Sequence, residues 1–481
     1  MCGILLFSGP KSEARLREGL HRLKHRGPDD QCTWSHNDIA LGFARLIING
    51  DISVGRQPYE HEDMICVVNG EIYNHQEIRH TYGLPESASD TELVLPLFIH
   101  SGAHIIDELD GFYSALIIQQ KKREAICLRD HMGKKPLFVG RSKTEIFITS
   151  EMKTIDECDW FELLPRGISK VNLDTGDVVT IAAHYPVEGE KKLVTALEEA
   201  VLKRMPEPDL PVGIFLSGGL DSSLIAAFAS KLRSDITYFT LSGQENVDYH
   251  AVKIVADALK LIDLRVVPLP KLSELPELVK AVVYATESVN PSIVSNGLAT
   301  FLLAQASHNA GIKVVLTGEG ADELFGGYHI FSEQEPWSEV RSQLIDDMQC
   351  TELRRLDMSC MAHSVEPRCP FLDRHVRAIS DELAYSELYD KDENKVLLRR
   401  SFDELLPIEI LRRKKTSFDV GSGIRGLVVQ YLRRNGRSER DELQLIWDEF
   451  FSHDRSEPYF HAYPTFDSAI DRRGETHKRA I

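Results

Sequence analysis

Residues 212–223, Val-Gly-Ile-Phe-Leu-Ser-Gly-Gly-Leu-Asp-Ser-Ser, decide the fold of the second half of this chain. The stretch begins with an apolar run typical of a buried strand and continues with small residues that favour a tight loop. We predict a strand, a loop and a helix that starts near Ser222. Hydroxyl and backbone N–H groups at the N-terminus of such a helix can bind phosphate.

This loop is not a Walker A motif, because no Gly-Lys-Ser/Thr follows its glycines. A Walker lysine suits transfer of the terminal phosphoryl group. A loop without it fits a β,γ-pyrophosphate that leaves while a carboxylate attacks the α-phosphate. The stretch therefore indicates adenylation of a carboxylic acid by ATP.

Strands and helices alternate on both sides of the loop. Apolar runs at 236–241 and 312–316 predict further strands, and helical periodicity covers 193–205 and 249–259. Alternation of this kind predicts a parallel sheet with crossover helices.

The first part of the chain has a different texture. Short apolar runs are separated by Gly, Asn and Asp, and 171–181 predicts a hairpin that turns at 174–177. We therefore predict two domains, a strand-rich one at 1–187 and a parallel α/β domain at 188–481. The tail beyond about residue 425 has no functional interpretation.

The composition excludes several classes of protein. The chain has 481 residues, 42% of them hydrophobic and 27% charged, as in globular proteins of about two to four domains. It contains no run of about 20 apolar residues and no secretory signal. The net charge of −18 argues against a nucleic-acid partner. Eight scattered cysteines without a CxxC pair predict reduced thiols in a cytoplasmic protein.

A second glycine-rich loop, 317–328, carries acidic residues directly after an apolar run. Carboxylates at the end of a parallel strand, near a phosphate loop, are suited to holding Mg²⁺. The alternative is a solvated acidic loop, which the flanking glycines disfavour.

The first residues predict a nucleophile. The chain begins Met1-Cys2-Gly3-Ile4, and the small side chain of Cys2 permits removal of Met1. The Cys2 thiol then lies beside an α-amino group whose pKa of about 8 suits a general base. A lone cysteine proves nothing, so the interpretation depends on its companions.

Those companions are polar and glycine-containing segments that follow Cys2. The Asn69 side chain and the Gly70 N–H group are able to stabilise a tetrahedral oxyanion. Arg45 suits the carboxylate of a glutamine substrate, and Glu71 and Asp90 suit its ammonium group. The alternative is that Asn69-Gly70 forms a hairpin turn, for which this dipeptide is a strong signal.

Taken in order, these segments resemble the class II glutamine amidotransferases, whose nucleophile is N-terminal. Matches at 129–137 and 150–153 narrow the resemblance to the asparagine synthetase family. It implies an αββα Ntn-hydrolase sandwich followed by a parallel α/β adenylating domain. The implied glutaminase residues are the nucleophile Cys2, the oxyanion hole of Asn69 and Gly70, and the glutamine ligands Arg45, Glu71 and Asp90.

The resemblance also implies roles in the second domain. Asp221 and Asp322 would hold magnesium and pyrophosphate, and Glu319 would lie at the reacting centre. Lys415 would stabilise charge during adenylation, although the adjacent Lys414 is an alternative match to the same family lysine. The implied ATP and pyrophosphate ligands are Leu216, Ser217, Gly218, Gly219, Asp221, Ser222, Ser223, Leu241, Thr317 and Gly318.

The acceptor segment departs from the family pattern. Aspartate-using members carry an acidic residue and, in some, a Thr and an Arg in the stretch that matches 287–297, whereas this chain has neutral Asn290 and Ser295. This stretch and 420–423 look more like the β-lactam synthetases, which close a ring with an internal amine. Those enzymes have lost the cysteine nucleophile and place Tyr at the position of Glu319.

We therefore predict a glutamine-dependent, ATP- and Mg²⁺-using amide synthetase that forms AMP and pyrophosphate. L-aspartate is the leading acceptor, giving asparagine. The alternatives are another carboxylic acid in specialised metabolism, β-lactam-type ring closure, or an inert binding protein on this scaffold. The predicted partners are small molecules, without nucleic acid or membrane, and a homodimer is possible by family analogy.

Overall fold

The computed structural model describes residues 2–87, 89–183, 192–243, 246–328, 337–391, 393–453 and 458–461. These residues form two compact units. The first contains the described residues up to 183, together with Met361–Ser364 and Phe451–His453, and the second contains the others. Each helix in the described ranges is too short or too polar to cross a bilayer.

The first unit is built on antiparallel strands. They are β1 (Cys2–Ser8), β2 (Asp30–His36), β3 (Ile39–Arg45), β4 (Tyr59–His61), β5 (Met64–Ile72), β6 (Gly111–Gln119), β7 (Glu124–Arg129), β8 (Phe138–Ser142), β9 (Glu145–Thr149), β10 (Trp160–Leu163), β11 (Gly167–Asn172) and β12 (Val178–Ala182). One six-stranded sheet has the order β10-β8-β9-β1-β3-β2, and the other has the order β12-β11-β7-β6-β5-β4.

Helices cover the outer faces of these two sheets. They are α1 (Ser12–Arg22), α2 (His75–Tyr82), α3 (Val94–Ser101) and α4 (Ile105–Glu108), with short 3-10 turns at Thr91–Leu93, Gly102–His104, Gln120–Lys122 and Met152–Thr154. α1 packs on β1 and β3, whereas α2 to α4 cover the second sheet. The inner faces meet in a core that includes Leu6 and Phe43 from one sheet and Val67 and Leu116 from the other. The predicted αββα sandwich is therefore confirmed.

The second unit contains a five-stranded parallel sheet of order β15-β14-β13-β16-β17. Its strands, with a separate two-stranded ladder, are β13 (Val212–Phe215), β14 (Thr237–Leu241), β15 (Asp263–Val267), β16 (Val314–Leu316), β17 (Glu366–Arg368), β18 (Tyr389–Asp390) and β19 (Glu393–Asn394). The order reverses between β13 and β16, and ligands of open α/β sheets bind at such a switch point, outside the carboxyl ends of the strands.

Helices surround the parallel sheet. They are α5 (Leu193–Leu202), α6 (Leu220–Leu232), α7 (Val247–Leu259), α8 (Leu275–Thr286), α9 (Pro291–Asn309), α10 (Ala321–Phe325), α11 (Trp337–Asp347), α12 (Glu352–Met361), α13 (Arg374–Asp381), α14 (Tyr385–Leu388), α15 (Val396–Ser401), α16 (Ile408–Leu411), α17 (Phe418–Gly421), α18 (Ile424–Leu432), α19 (Glu439–Trp447) and α20 (Pro458–His461), with a 3-10 turn at Pro370–Leu372. The predicted parallel α/β domain is confirmed.

Two local predictions differ from the structure. The helix expected near Ser222 begins two residues earlier, because Gly219 is extended (ψ 162°) and supplies the N-cap of α6. Asn69 and Gly70 form no turn: they lie inside β5, opposite Ser114 and Tyr113 of β6. The hairpin alternative for this dipeptide is therefore wrong, because sheet pairing determines its conformation.

Candidate active sites

The first site lies where the two sheets of the first unit meet at one end. Cys2 begins β1, directly opposite Arg45 at the end of β3. The backbone N–H of Cys2 donates to Asn69 Oδ1 of the other sheet at 2.8 Å. Strand register and this one bond thus bring the predicted nucleophile beside the predicted oxyanion donor.

The Asn69 amide has an unusual hydrogen-bond balance. Its oxygen accepts from Cys2, but its Nδ2 is buried and has no hydrogen-bond partner among the described residues. A buried donor without a partner is costly, and such groups concentrate at functional sites. Gly70 is required here, because a Cβ atom would lie 2.2 Å from the Phe112 carbonyl oxygen.

A pocket opens in front of these residues, and its wall includes Cys2, Arg45, Gly70, Glu71 and Asp90. Ile72 N–H donates to Asp90 Oδ2 at 2.7 Å, and Asn49 Nδ2 donates to Glu71 Oε1 at 2.9 Å. Arg45 donates to the Ile52 and Val54 carbonyl oxygens. The structure therefore brings together all six residues predicted for glutamine hydrolysis.

A buried ionic cluster fixes the backbone of Cys2. Arg26 Nε donates to the Cys2 carbonyl oxygen at 2.9 Å, and its Nη1 bonds Glu151 Oε1 at 2.7 Å. Lys153 and His25 also bond this carboxylate. Burial alone would raise the pKa of Glu151, but the three neighbouring charged or ionisable groups hold it well below its usual range.

Sequence reasoning used 150–153, which contains Glu151, only as a family match, and it assigned no role to Arg26 or Glu151. A third missed residue is Gln57, whose side-chain amide bonds both the N–H and the carbonyl of Val68, at 2.6 and 3.1 Å. Gln57 thereby makes the backbone hydrogen bonds with β5, beside the pocket, that a neighbouring strand would otherwise make. A glutamine in a loop gives no sequence signal for this contact.

The second site begins with the loop after β13. Ser217 N–H donates to Ser222 Oγ at 3.2 Å, which closes the loop over the start of α6. Gly218 has a left-handed φ of +70°, and a Cβ atom there would lie 2.6 Å from the Val252 nitrogen. The Ser223 hydroxyl is buried and lacks a hydrogen-bond partner among the described residues. This loop has the narrow backbone and spare donors that phosphate binding needs.

The acidic loop after β16 meets the first loop through two lysines. Lys395 Nζ lies 2.6 Å from Asp221 Oδ2 and 2.6 Å from Asp322 Oδ1. Lys415 Nζ bonds the other oxygen of Asp322, whereas Lys414 lines only a smaller neighbouring cavity. Burial opposes ionisation of Asp322, but the lysine charges outweigh it and lower its pKa. The two carboxylates likewise raise the pKa of Lys415 against the effect of burial.

An open pocket with a cavity volume of about 250 Å³ lies above these loops. Its wall includes the predicted residues Leu216, Ser217, Asp221, Ser222, Thr317, Gly318, Glu319, Asp322 and Lys415. Gly219 lines the neighbouring cavity. Leu241 ends β14 at the same edge of the sheet, but its side chain is fully buried and does not reach this wall.

Asn290 and Ser295, which the sequence analysis singled out in the acceptor segment, do not line the pocket. Asn290 caps α9, accepting from Ser292 N–H at 2.8 Å, and Ser295 donates to the buried Asp419 at 2.8 Å. Ser292, Ile293 and Asn296 of this segment face the pocket instead, as does Thr300 just beyond it.

The cation that this segment lacks comes from another helix. Arg355 of α12 lines the pocket and donates from Nη2 to Glu319 Oε1 at 2.6 Å. Sequence reasoning missed it, because a charged helix residue gives no sign of which face it occupies.

Comparisons with known proteins agree with this arrangement. The glutamine amidotransferase domain family matches residues 1–173, and the asparagine synthase family matches 192–346 and 338–463. The root asparagine synthetase [glutamine-hydrolyzing] of Pisum sativum is 31% identical over 88% of this chain and 79% of its own length.

Two further relatives cover the chain to the same extent. The asparagine synthetase [glutamine-hydrolyzing] of Asparagus officinalis is 30% identical over 88% of this chain and 78% of its own length. That of Sandersonia aurantiaca is 30% identical over 88% of this chain and 87% of its own length. With both domains matched along the chain, this protein belongs to the glutamine-hydrolysing asparagine synthetase family.

Proposed function

We propose that this enzyme makes L-asparagine from L-aspartate, ATP and the amide nitrogen of glutamine. The observation that carries the proposal is that one chain assembles two complete sites. One combines a cysteine with a buried, unpartnered amide donor, and the other combines a phosphate loop with paired carboxylates and lysines. We take residues 1–187 as the glutaminase domain and 188–481 as the synthetase domain.

At the first site, the Cys2 sulfur attacks the side-chain amide carbon of glutamine. With Met1 removed, the α-amine of Cys2, next to Asn69 Oδ1, accepts the thiol proton and passes it to the leaving nitrogen. Asn69 Nδ2 and Gly70 N–H stabilise the oxyanion. The C–N bond breaks, ammonia leaves, and water hydrolyses the thioester to release glutamate. Arg45, Glu71 and Asp90 hold the substrate.

At the second site, a β-carboxylate oxygen of aspartate attacks the α-phosphorus of ATP. The bond between the α-phosphorus and the bridging oxygen breaks. Pyrophosphate leaves and is bound by the loop of Ser217 to Ser223. Ammonia then attacks the acyl carbon, AMP leaves, and Glu319 accepts a proton from the attacking nitrogen. Lys415 offsets the negative charge that develops on the phosphates.

Mg²⁺ fits this site as the companion of ATP. Asp221 Oδ2 and Asp322 Oδ1 each lie 2.6 Å from Lys395 Nζ, so the two carboxylates face the same small region. Within the described ranges, no three acidic, His or Cys side chains form a cage. This agrees with Mg²⁺, which binds through one or two carboxylates plus phosphates and water. When bound, the ion would neutralise phosphate charge, and Lys395 and Lys415 outweigh burial and lower the pKa of Asp322.

The test is release of AMP and pyrophosphate by the purified protein with Mg²⁺-ATP and glutamine, with and without L-aspartate. The proposal expects aspartate to stimulate release, with equal amounts of AMP, asparagine and glutamate. Glutamine hydrolysis that aspartate leaves unchanged, with no asparagine, would contradict aspartate as the acceptor. AMP formation without glutamine or ammonia would support ring closure instead. The similarity to asparagine synthetases and the retained Cys2 pocket disfavour that alternative.

A further inference from the structure

One face of α12 carries two opposite charges into the large pocket. Glu352 and Arg355 are three residues apart and both line it, as neighbours on one helical face do. Arg355 is about nine-tenths buried, and its guanidinium lies at the pocket surface beside Glu319. A cation and an anion that face the same pocket form a receptor for a molecule with both charges.

The known bonds of Arg355 leave capacity for a ligand. Nη2 donates to Glu319 Oε1 at 2.6 Å, and Nη1 donates to Thr300 Oγ1 at 3.0 Å. A guanidinium has five N–H donors in a rigid fork. The two bonds fix its plane, so that the other donors meet an incoming carboxylate with little loss of entropy.

The proposed reaction needs such a receptor. L-aspartate presents its β-carboxylate to ATP, and its α-carboxylate and α-ammonium must be recognised separately. Lys395 and Lys415 bond Asp221 and Asp322 near the phosphate loop. The acceptor segment 287–297 contributes only polar and apolar residues to the wall. Arg355 is therefore the cation placed for the second carboxylate.

We propose, resting on the asparagine-forming function above, that Arg355 binds the α-carboxylate of the acceptor and Glu352 binds its α-ammonium group. Together they define the acceptor as an α-amino dicarboxylic acid. Thr300 is a positioning residue for the Arg355 fork, which also bonds the proposed proton acceptor Glu319. Thr351, which donates to Glu352, positions the anion.

The test compares Arg355→Gln, Arg355→Lys and Glu352→Gln with the wild type in full-length enzyme. Loss of one charge-assisted contact should raise the KM for L-aspartate about 10- to 100-fold. The KM for ATP and the glutaminase rate should not change, and Arg355→Lys should recover part of the loss. Arg377→Gln, which removes a half-buried arginine paired with Asp381 on α13, away from the pocket wall, is the matched control.

Inhibition by two aspartate analogues assigns each charge. β-Alanine lacks the α-carboxylate, so it should inhibit wild type and Arg355→Gln equally. Succinate lacks the ammonium, so it should inhibit wild type and Glu352→Gln equally. An unchanged KM for aspartate, or KM values for aspartate and ATP that rise together, would overturn the assignment while leaving the proposed function intact. A wild type that forms no AMP with aspartate would overturn both.

Discussion

The two sites of this chain are held by different kinds of interaction. In the first unit, Cys2, Asn69 and Gly70 lie on antiparallel strands. Strand register and hydrogen bonds set their positions, and the buried Arg26–Glu151 pair also bonds the Cys2 carbonyl oxygen. Cys2 faces Arg45 by strand pairing and meets Asn69 through one N–H···O bond. In the second unit, the reactive residues follow parallel strands, and ion pairs such as Lys395 with Asp221 and Asp322 join separate loops.

This difference predicts how each site responds to change. A site fixed by sheet register keeps its shape when one side chain is truncated, so single substitutions there should act on chemistry alone. A site fixed by buried ion pairs couples its members, because each lost charge leaves an uncompensated partner. Substitutions there should affect binding, chemistry and stability together.

The largest expected effect is loss of the nucleophile. Cys2→Ala should reduce glutamine hydrolysis at least about 10⁴-fold, because the side-chain nucleophile has no substitute. Synthesis with ammonium chloride should continue near the wild-type rate. Glutamate and AMP release, measured with each nitrogen source, separate the two activities.

The matched control for this experiment is Cys158→Ala, at a half-buried cysteine of the same unit. It should retain both activities. Equal loss of glutamine- and ammonia-dependent synthesis in Cys2→Ala would contradict two separable sites, and with them the comparison itself.

The next effect is expected at the ionic site. Asp322→Asn leaves Lys395 and Lys415 without a shared carboxylate, so kcat/KM for ATP should fall about 10³-fold. The free energy of unfolding should also fall, by about 3 kcal/mol. AMP formation and urea denaturation measure these effects.

Asp390→Asn is the control, since it removes the carboxylate of an exposed ion pair with Arg400 in the same unit. It should change stability by less than about 1 kcal/mol. If Asp322→Asn slowed ATP use without any loss of stability, the claim that ion pairs couple function to stability at this site would be wrong.

A smaller effect is expected at the oxyanion donor. Asn69→Ala removes the buried Nδ2 group, and loss of one such donor costs about 10²- to 10³-fold in kcat. The KM for glutamine should change little, because the proposed substrate contacts are those of Arg45, Glu71 and Asp90. Steady-state glutaminase kinetics measure both constants, and a rise in KM without a fall in kcat would contradict the assignment.

The parts of the fold that local patterns encode were predictable. The apolar run and small residues around Gly218 and Gly219 predicted a strand, loop and helix, which are β13 and α6. The motifs also indicated residues that line the two pockets, because their order along the chain follows that of the family. Local patterns do not predict the conformation where pairing with a distant strand determines it. Asn69 and Gly70 are extended in β5 because they pair with β6, which lies some 45 residues further along the chain.

Residues placed by tertiary packing could not be predicted either. Arg355 lines the pocket because the fold turns that face of α12, with Glu352, toward it. Arg354, its neighbour, instead donates to the Thr286 carbonyl at 2.8 Å. Arg354 and Arg355 are adjacent in the sequence, and neither composition nor periodicity indicates which of them faces the pocket.

The smallest effect concerns pH and the buried cluster behind Cys2. The pKa of Glu151 is lowered in the folded state, so its stabilisation is present above the unfolded value of about 4.3 and is lost as pH falls. Below that pH, Glu151 is protonated in the unfolded chain but stays ionised in the folded protein. Stability of the first unit should then fall by about 1.4 kcal/mol per pH unit from this group.

Glu151→Gln should lose this slope, which hydrogen exchange at the amides of β1 measures between pH 3 and 6. Its stability at neutral pH should also drop, because Arg26 and Lys153 lose their partner, so the slope rather than the level is the discriminating quantity. Glu157→Gln, at an exposed site of the same unit, should keep the wild-type slope. If Glu151→Gln kept it as well, the cluster would not control acid sensitivity. The first site would then depend on strand register alone, which would sharpen its contrast with the ionic site.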